Sequence, residues 1–435
     1  MSVRRSLLLA LLAAPLLLLG CKIETINYFP DKFAKVRFAN VIYGAAGVSG
    51  YVDGTNFWPD VAFEGVTAYQ NFEPVQHSFA LLVAGSAGLS SGSNYTLNGN
   101  SNYTIFAFGT PGTPTTAALV EPTTAPGNNS FQTRVLNLAP NVAALDVYVL
   151  DPGGDILNAS PNVSGLAYGS IGVYVDFGAG DYRIVAANTG TKVPIFDSGT
   201  VNFPPNTRAN LVAYSRGGAT LITMALFETT GNATITPLNN LSARVRAVNI
   251  GNPPDDDANR INVLADQQPL FDAIAYGKGS LPARLDSKTY EFSAEAVATP
   301  GAALAKISRP LRSATDTTLY LKGDPGAQAL VALDDNNTPS LSNAGRLRIV
   351  NAAGNPAAVD VLAGTTVLAA GITPATPPFY LEIATGTYAL TVRDTATSTL
   401  LATVDDTYTA AAGSVNTLYI AGNATKTTAS LVLDR

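Results

Sequence analysis

The pattern Arg-x-x-Asn returns four times along the chain, as "RFAN" (Arg37, Asn40), "RVLN" (Arg134, Asn137), "RAVN" (Arg246, Asn249) and "RIVN" (Arg348, Asn351), at spacings of 97, 112 and 102 residues. A period of this size confines the chain to a tandem array whose units can each bury a core. Further markers follow in the same order. Ala-Tyr appears at "AYQ" (68), "AYGS" (167) and "AYGKGS" (275) and is missing from the fourth copy; a turn and aromatic strand then reads "HSFALLV", "GDYRIVA", "KTYEFSA" and "GTYALTV". Paired strands close the unit, as in "NLVAYS" with "TLITMALF" and "TLYIAG" with "ASLVL".

Within each copy, short runs rich in Val, Ile, Thr and Tyr alternate with Gly, Pro, Asn and Asp clusters, which is strand-and-turn punctuation. The second copy holds seven such runs, enough for a β-sandwich. In "LDVYV", Leu145, Val147 and Val149 share one face, with Asp146 and Tyr148 on the other, the alternation of a half-buried strand. The expected fold is all-β, four tandem immunoglobulin-like β-sandwiches over residues 35–125, 131–236, 241–340 and 344–435. The polar stretches "EPTTAPGNNS", "ETTGNATITPLNN" and "DDNNTPSLSNAG" read as linkers between them. Separate domains of this size in line would reach roughly 130 Å.

The segment ahead of the repeats gives an address. Arg4 and Arg5 precede an apolar run of about 13 residues, too short for a spanning helix of roughly 20. The order of charge, apolar core and small residue describes a secretory signal peptide, residues 1–20. Its end, "LLGC", resembles the lipobox of bacterial lipoproteins. Cys21 is the chain's sole cysteine and the expected lipidation site, with residues 21–34 as a tether. Lipid chains on Cys21 would make the membrane a partner, each buried methylene adding about 0.8 kcal/mol. The expected location is the bacterial cell envelope, on the outer membrane, at its periplasmic face or the cell surface.

The stretches "RVLNLAPNVAALDVYV" and "LAYGSIGVYVDFGAGDYRIVA" of the second copy resemble a bacterial envelope module known as a domain of unknown function, number forty-three ninety-seven in its series. "RIVNAAGNPAAVDVLAG" of the fourth copy matches the module's first third. The third copy is looser, with "NPPDDDANRINVLAD" inserted, and the first departs most. The resemblance implies an all-β extracytoplasmic protein and brings no catalytic residues.

The side-chain inventory restricts the chemistry further. Charged residues make up 13% of the chain at a net charge of −6, so no basic surface awaits a phosphate backbone and nucleic acid is not an expected partner. Once Cys21 carries lipid, no thiol nucleophile, disulfide or sulfur ligand is left. His77, the single histidine, stands at a strand start and reads as structural. "GLSSG" around Ser90 has the spacing of a nucleophile elbow, but the only histidine precedes it and its context is a hairpin loop. "AYGKGS" lacks the glycine a phosphate loop needs five residues before Lys278. The acidic runs 253–259 and 333–337 read as solvated turns, with Ca²⁺ the competing occupant. No catalytic residue, metal site or cofactor is expected.

Trp58, the only tryptophan, lies in the divergent first copy and is a candidate ligand contact. The expected role is structural or adhesive, without catalysis. The alternative is a surface protein that binds a glycan or peptide, or another protein, through the first copy.

Overall fold

The repeat found in the sequence becomes a repeat of sheet topology. In the computed structural model, residues 33–229, 234–251, 260–340, 342, 344–354, 358–405, 407–422 and 426–435 are described; residues 1–20, expected to be a signal peptide, Cys21 and the acidic run 253–259 lie outside them. The first copy has eight strands: β1 (Ala34–Asn40), β2 (Val48–Val52), β3 (Thr55–Val61), β4 (Gln70–Phe72), β5 (Gln76–Val83), β6 (Ser93–Thr96), β7 (Asn102–Thr110) and β8 (Thr113–Glu121). They form two sheets, β4-β1-β7-β8 and β3-β2-β5-β6. Within the first, β1 and β7 run parallel while the other pairs are antiparallel.

The other copies reproduce this order. The parallel pair recurs as Ser130–Asn137 with Thr207–Tyr214, Ser242–Asn249 with Asp316–Lys322, and Ala344–Asn351 with Val415–Gly422. The second copy adds a fifth strand, Ile235–Leu238, to the edge of this sheet. The chain is therefore four tandem β-sandwiches. Each encloses its own apolar cluster, built around Phe38 and Trp58, Phe131 and Phe203, Phe292 and Leu319, or Leu347 and Tyr408.

The "LDVYV" strand shows what alternation alone misses. Leu145 and Val147 are buried as expected, but Tyr148 on the opposite face is only 1% exposed. It packs with Ile156, Val185 and Ala187. The segment after the strand folds back over the face that the pattern assigned to solvent.

The copies are not beads on polar linkers. An additional core joins the first two, in which Phe106, Phe108 and Leu119 meet Leu136, Tyr214 and Phe227; Phe106 and Phe227 lie edge to face at 5.1 Å. A second joins the last two, bringing Val248 and Tyr320 against Val350 and Tyr419. The connector after the third copy is buried as well: Asp335 and Asn337 are each 2% exposed. Gly217 marks where the first two copies meet that connector. Its φ is +89°, and a Cβ there would stand 2.6 Å from Tyr43 Cε1 and 2.9 Å from the Asp335 carbonyl oxygen. Across the same junction, the Asn337 N–H donates to the Gly217 carbonyl at 2.7 Å and the Ala219 N–H to Asp316 at 2.9 Å.

Candidate functional site

The residues that recur in the sequence converge where one repeat meets the next. On β1, Arg37 is fully buried and donates through Nε to Thr104 on β7 at 2.8 Å and through Nη2 to Glu121 at the end of β8 at 2.6 Å. Tyr69 closes the group: its hydroxyl donates to Glu121 and its ring lies 4.6 Å beneath the guanidinium. The third and fourth copies build the same arginine–threonine–acid unit but exchange the acid. Arg246 donates to Thr318 of its own repeat and to Asp434 of the next. Arg348 donates to Thr417 of its own repeat and to Asp335 of the previous one at 2.7 Å, with a longer contact of 3.5 Å to its own Asp434. Each threonine hydroxyl donates to the acid of its own repeat, at 2.7 and 2.6 Å.

The exchange is reciprocal, as in a contact built about a two-fold axis. Tyr320 and Tyr419, each two residues beyond the threonine of its copy, meet with ring centroids 5.7 Å apart. Burial alone would lower the two guanidinium pKa values; the carboxylates of Asp434 and Asp335 outweigh it and hold both above the ordinary arginine value. Burial also raises the Tyr419 hydroxyl to about 12.

The first two copies make the same reciprocal contact with weaker chemistry. Arg37 reaches the Glu228 carbonyl at 3.4 Å and Arg134 the Val120 carbonyl at 2.6 Å. Arg134 has Asn210 in place of threonine, at 2.9 Å, and its guanidinium stacks 4.3 Å over Tyr174.

The motif asparagine serves its own sandwich. In every copy its Nδ2 donates to a carbonyl of the facing segment: Val61, Leu166, Ile274 or Ile372. Its Oδ1 accepts the N–H two residues later. Asn351→Ala would take the Nδ2 donor from the Ile372 carbonyl and the Oδ1 acceptor from the Ala353 N–H. It is expected to cost about 1–3 kcal/mol, read as a lower urea midpoint at unchanged slope.

The Ala-Tyr marker also reaches across copies. Tyr168 packs edge to face on Phe108 of the first copy at 5.6 Å, and Tyr276 is hydrogen-bonded to Thr428 of the fourth at 2.6 Å.

Trp58 is not a ligand contact. It is 2% exposed and stacked on Phe38 at 5.5 Å, inside the core of the first sandwich, so neither ring face is open to a partner. His77 pairs with Asp53 at 2.6 Å and with the Glu73 carbonyl at 3.0 Å. The Ser90 hydroxyl accepts the Leu81 N–H at 3.0 Å. Neither contact arranges a nucleophile beside its base. The acidic run 333–337 is not a solvated turn, because Asp335 sits in the buried arginine unit and Asn337 donates to Asp316 at 2.8 Å. Among the described residues no group of His, Cys, Asp and Glu side chains forms a metal site.

The acids at the strand ends were the functional side chains that motif reading missed. Glu121, Asp335 and Asp434 each lie 17 residues beyond their threonine, a spacing visible once the copies are aligned on Arg-x-x-Asn. Glu121 and Asp335 hid in stretches that composition assigned to linkers.

The family described as Domain of unknown function (DUF4397) matches residues 34–148 and 254–362. The chain belongs to this family. The DUF4397 matches begin in the first and third copies, the leading members of the two reciprocal pairs. No curated protein matches the chain. Similar solved structures include CBMbc, a family CBM26 module from Eubacterium rectale Amy13K in complex with maltoheptaose, at 9% identity over 46% of this chain and 98% of that one, TM-score 0.17. Others are family 41 carbohydrate-binding modules from streptococcal virulence factors (14% identity, 41% and 93% covered, TM-score 0.17) and the Bacillus anthracis TIE protein (8%, 88% and 69%, 0.15). At such TM-scores the backbones superpose over too little of their length to transfer a ligand.

Proposed function

We propose that this DUF4397 protein is a lipid-anchored, non-catalytic component of the bacterial cell envelope with a scaffolding or adhesive role. The observation that carries the reading is the reciprocal burial of Arg246 against Asp434 and Arg348 against Asp335. The sequence repeats most faithfully the residues that hold sandwiches together, and their chemistry is spent on geometry. A stiff multi-domain body suits a protein that presents surfaces to a partner.

The anchor rests on the "LLGC" sequence ending at Cys21. Cys21 precedes the first strand, Ala34–Asn40, in the sequence, and Cys21→Ala is expected to leave the thermal unfolding of the sandwiches unchanged. It should move the protein from the membrane pellet to the soluble fraction after cell lysis. Retention in the pellet with the signal peptide removed would refute lipid anchoring. Protease treatment of intact cells then decides the face: digestion places the protein on the surface, protection on the periplasmic side.

A further inference from the structure

Between the first and fourth repeats lies a cleft of about 410 Å³, walled by Tyr43 and Thr110, by Asn336 and Thr338 of the connector, and by Arg346 and Glu382. Its size falls within the range of small-molecule sites. Arg346 and Glu382 are direct cross-strand neighbours, the position at which opposite charges ordinarily pair. Here each turns elsewhere.

Arg346 donates through Nη1 to the Asn336 and Thr338 carbonyls at 2.9 and 2.6 Å and lays its guanidinium 4.3 Å over Tyr380. Its Nε and Nη2 make no hydrogen bond within the described residues. Glu382 accepts the Ser340 and Ser342 hydroxyls at 3.2 and 3.1 Å. The corresponding arginine of the third copy, Arg244, has Asp316 at 3.4 Å; the fourth copy carries Val415 at that place in the sheet. Burial lowers the Arg346 guanidinium pKa below its ordinary value.

The cleft thus offers a donor fork and a carboxylate that do not satisfy each other. An ionic ligand of either sign would meet a like charge. A neutral polyol meets both, since each hydroxyl can donate to the carboxylate and accept from the guanidinium. Tyr43 adds an aromatic ring to the wall, suited to the flat C–H face of a sugar whose hydroxyls are all equatorial.

We propose that this cleft binds a gluco-configured saccharide, with Tyr43 against the pyranose face, Arg346 donating to one hydroxyl and Glu382 accepting from its neighbour. The inference goes beyond the scaffold reading and does not need the lipid on Cys21, so either can fail alone. The test is calorimetric titration of the full chain in detergent with cellotriose, maltotriose and chitotriose, and with trigalacturonate as the acidic control. Saturable binding of at least one neutral trisaccharide is expected. It should weaken at least tenfold in Glu382→Gln with unchanged thermal unfolding, and in Tyr43→Ala, whose lost packing on Phe63 lowers the melting point but whose β structure is checked by circular dichroism. It should stay the same in the exposed second-copy variant Val193→Ala. No saturable binding of any of the three, binding of trigalacturonate alone, or full affinity in Glu382→Gln would overturn the proposal.

Discussion

Arg348→Met is expected to destabilise the protein by about 3–5 kcal/mol, the usual cost of removing one partner from a buried ion pair. The guanidinium is 1% exposed and so is its partner Asp335, which would keep the Thr318 hydroxyl and the field of Arg246 to offset its charge. The comparison that gives this figure meaning is the same change in the second copy. Arg134 bonds to the Asn210 amide and the Val120 carbonyl, so Arg134→Met strands neutral groups and should cost about 1–3 kcal/mol. Equal costs at the two positions, measured by urea unfolding, would mean that packing and not charge sets the value. The double variant Arg348→Met with Asp335→Leu should recover most of the loss, because an apolar replacement of a whole buried pair is often neutral or better. A coupling energy near zero in that cycle would show the two residues to be independent.

How much of this was legible follows from the range over which each signal acts. Strand-and-turn punctuation is local, and it was enough to place a β-sandwich in every copy; the parallel pair at the centre of one sheet, nearly buried on both faces, left no alternation to read. The asparagine of Arg-x-x-Asn recurs in every copy because its partners belong to its own unit, its Oδ1 closing onto the N–H two residues later. The exposure of Trp58 was not readable, since one aromatic residue among strands looks alike from sequence whether it faces solvent or Phe38. Neither was the pairing of copies. Phe106, Tyr214 and Phe227 sit in strands whose cores would be apolar in any sandwich. Only the structure shows that their second face is covered by a neighbour. Linkers misled for a related reason: polar composition ordinarily marks solvent, yet Asp335 and Asn337 are polar because they are buried beside charged partners.

An isolated second repeat, residues 130–238, is expected to fold and then self-associate. It holds a complete core around Phe131 and Phe203, so its β structure should survive excision. Excision also bares Leu136, Leu138, Val212, Tyr214 and Phe227, all buried against the first copy. At about 1.5–3 kcal/mol for each large apolar side chain, that face carries roughly 8–15 kcal/mol of burial. Association between free molecules costs a comparable 4–15 kcal/mol, whereas the connector raises the effective concentration of the two copies to the millimolar range. Tethered, the pair closes; free, it should exchange between monomer and dimer. Because the contact is reciprocal, the bared face is expected to complement a second copy of itself. Sedimentation of the fragment should show concentration-dependent dimers, and mixing with residues 34–125 should convert them to a one-to-one complex. In the full chain, Phe106→Ala should cost about 3–5 kcal/mol, since its ring fills the joint against Phe227. A fragment that stays monomeric at every concentration and unfolds at the same urea midpoint as the full chain would show that the copies are independent after all. The paired architecture would then contribute nothing to stability.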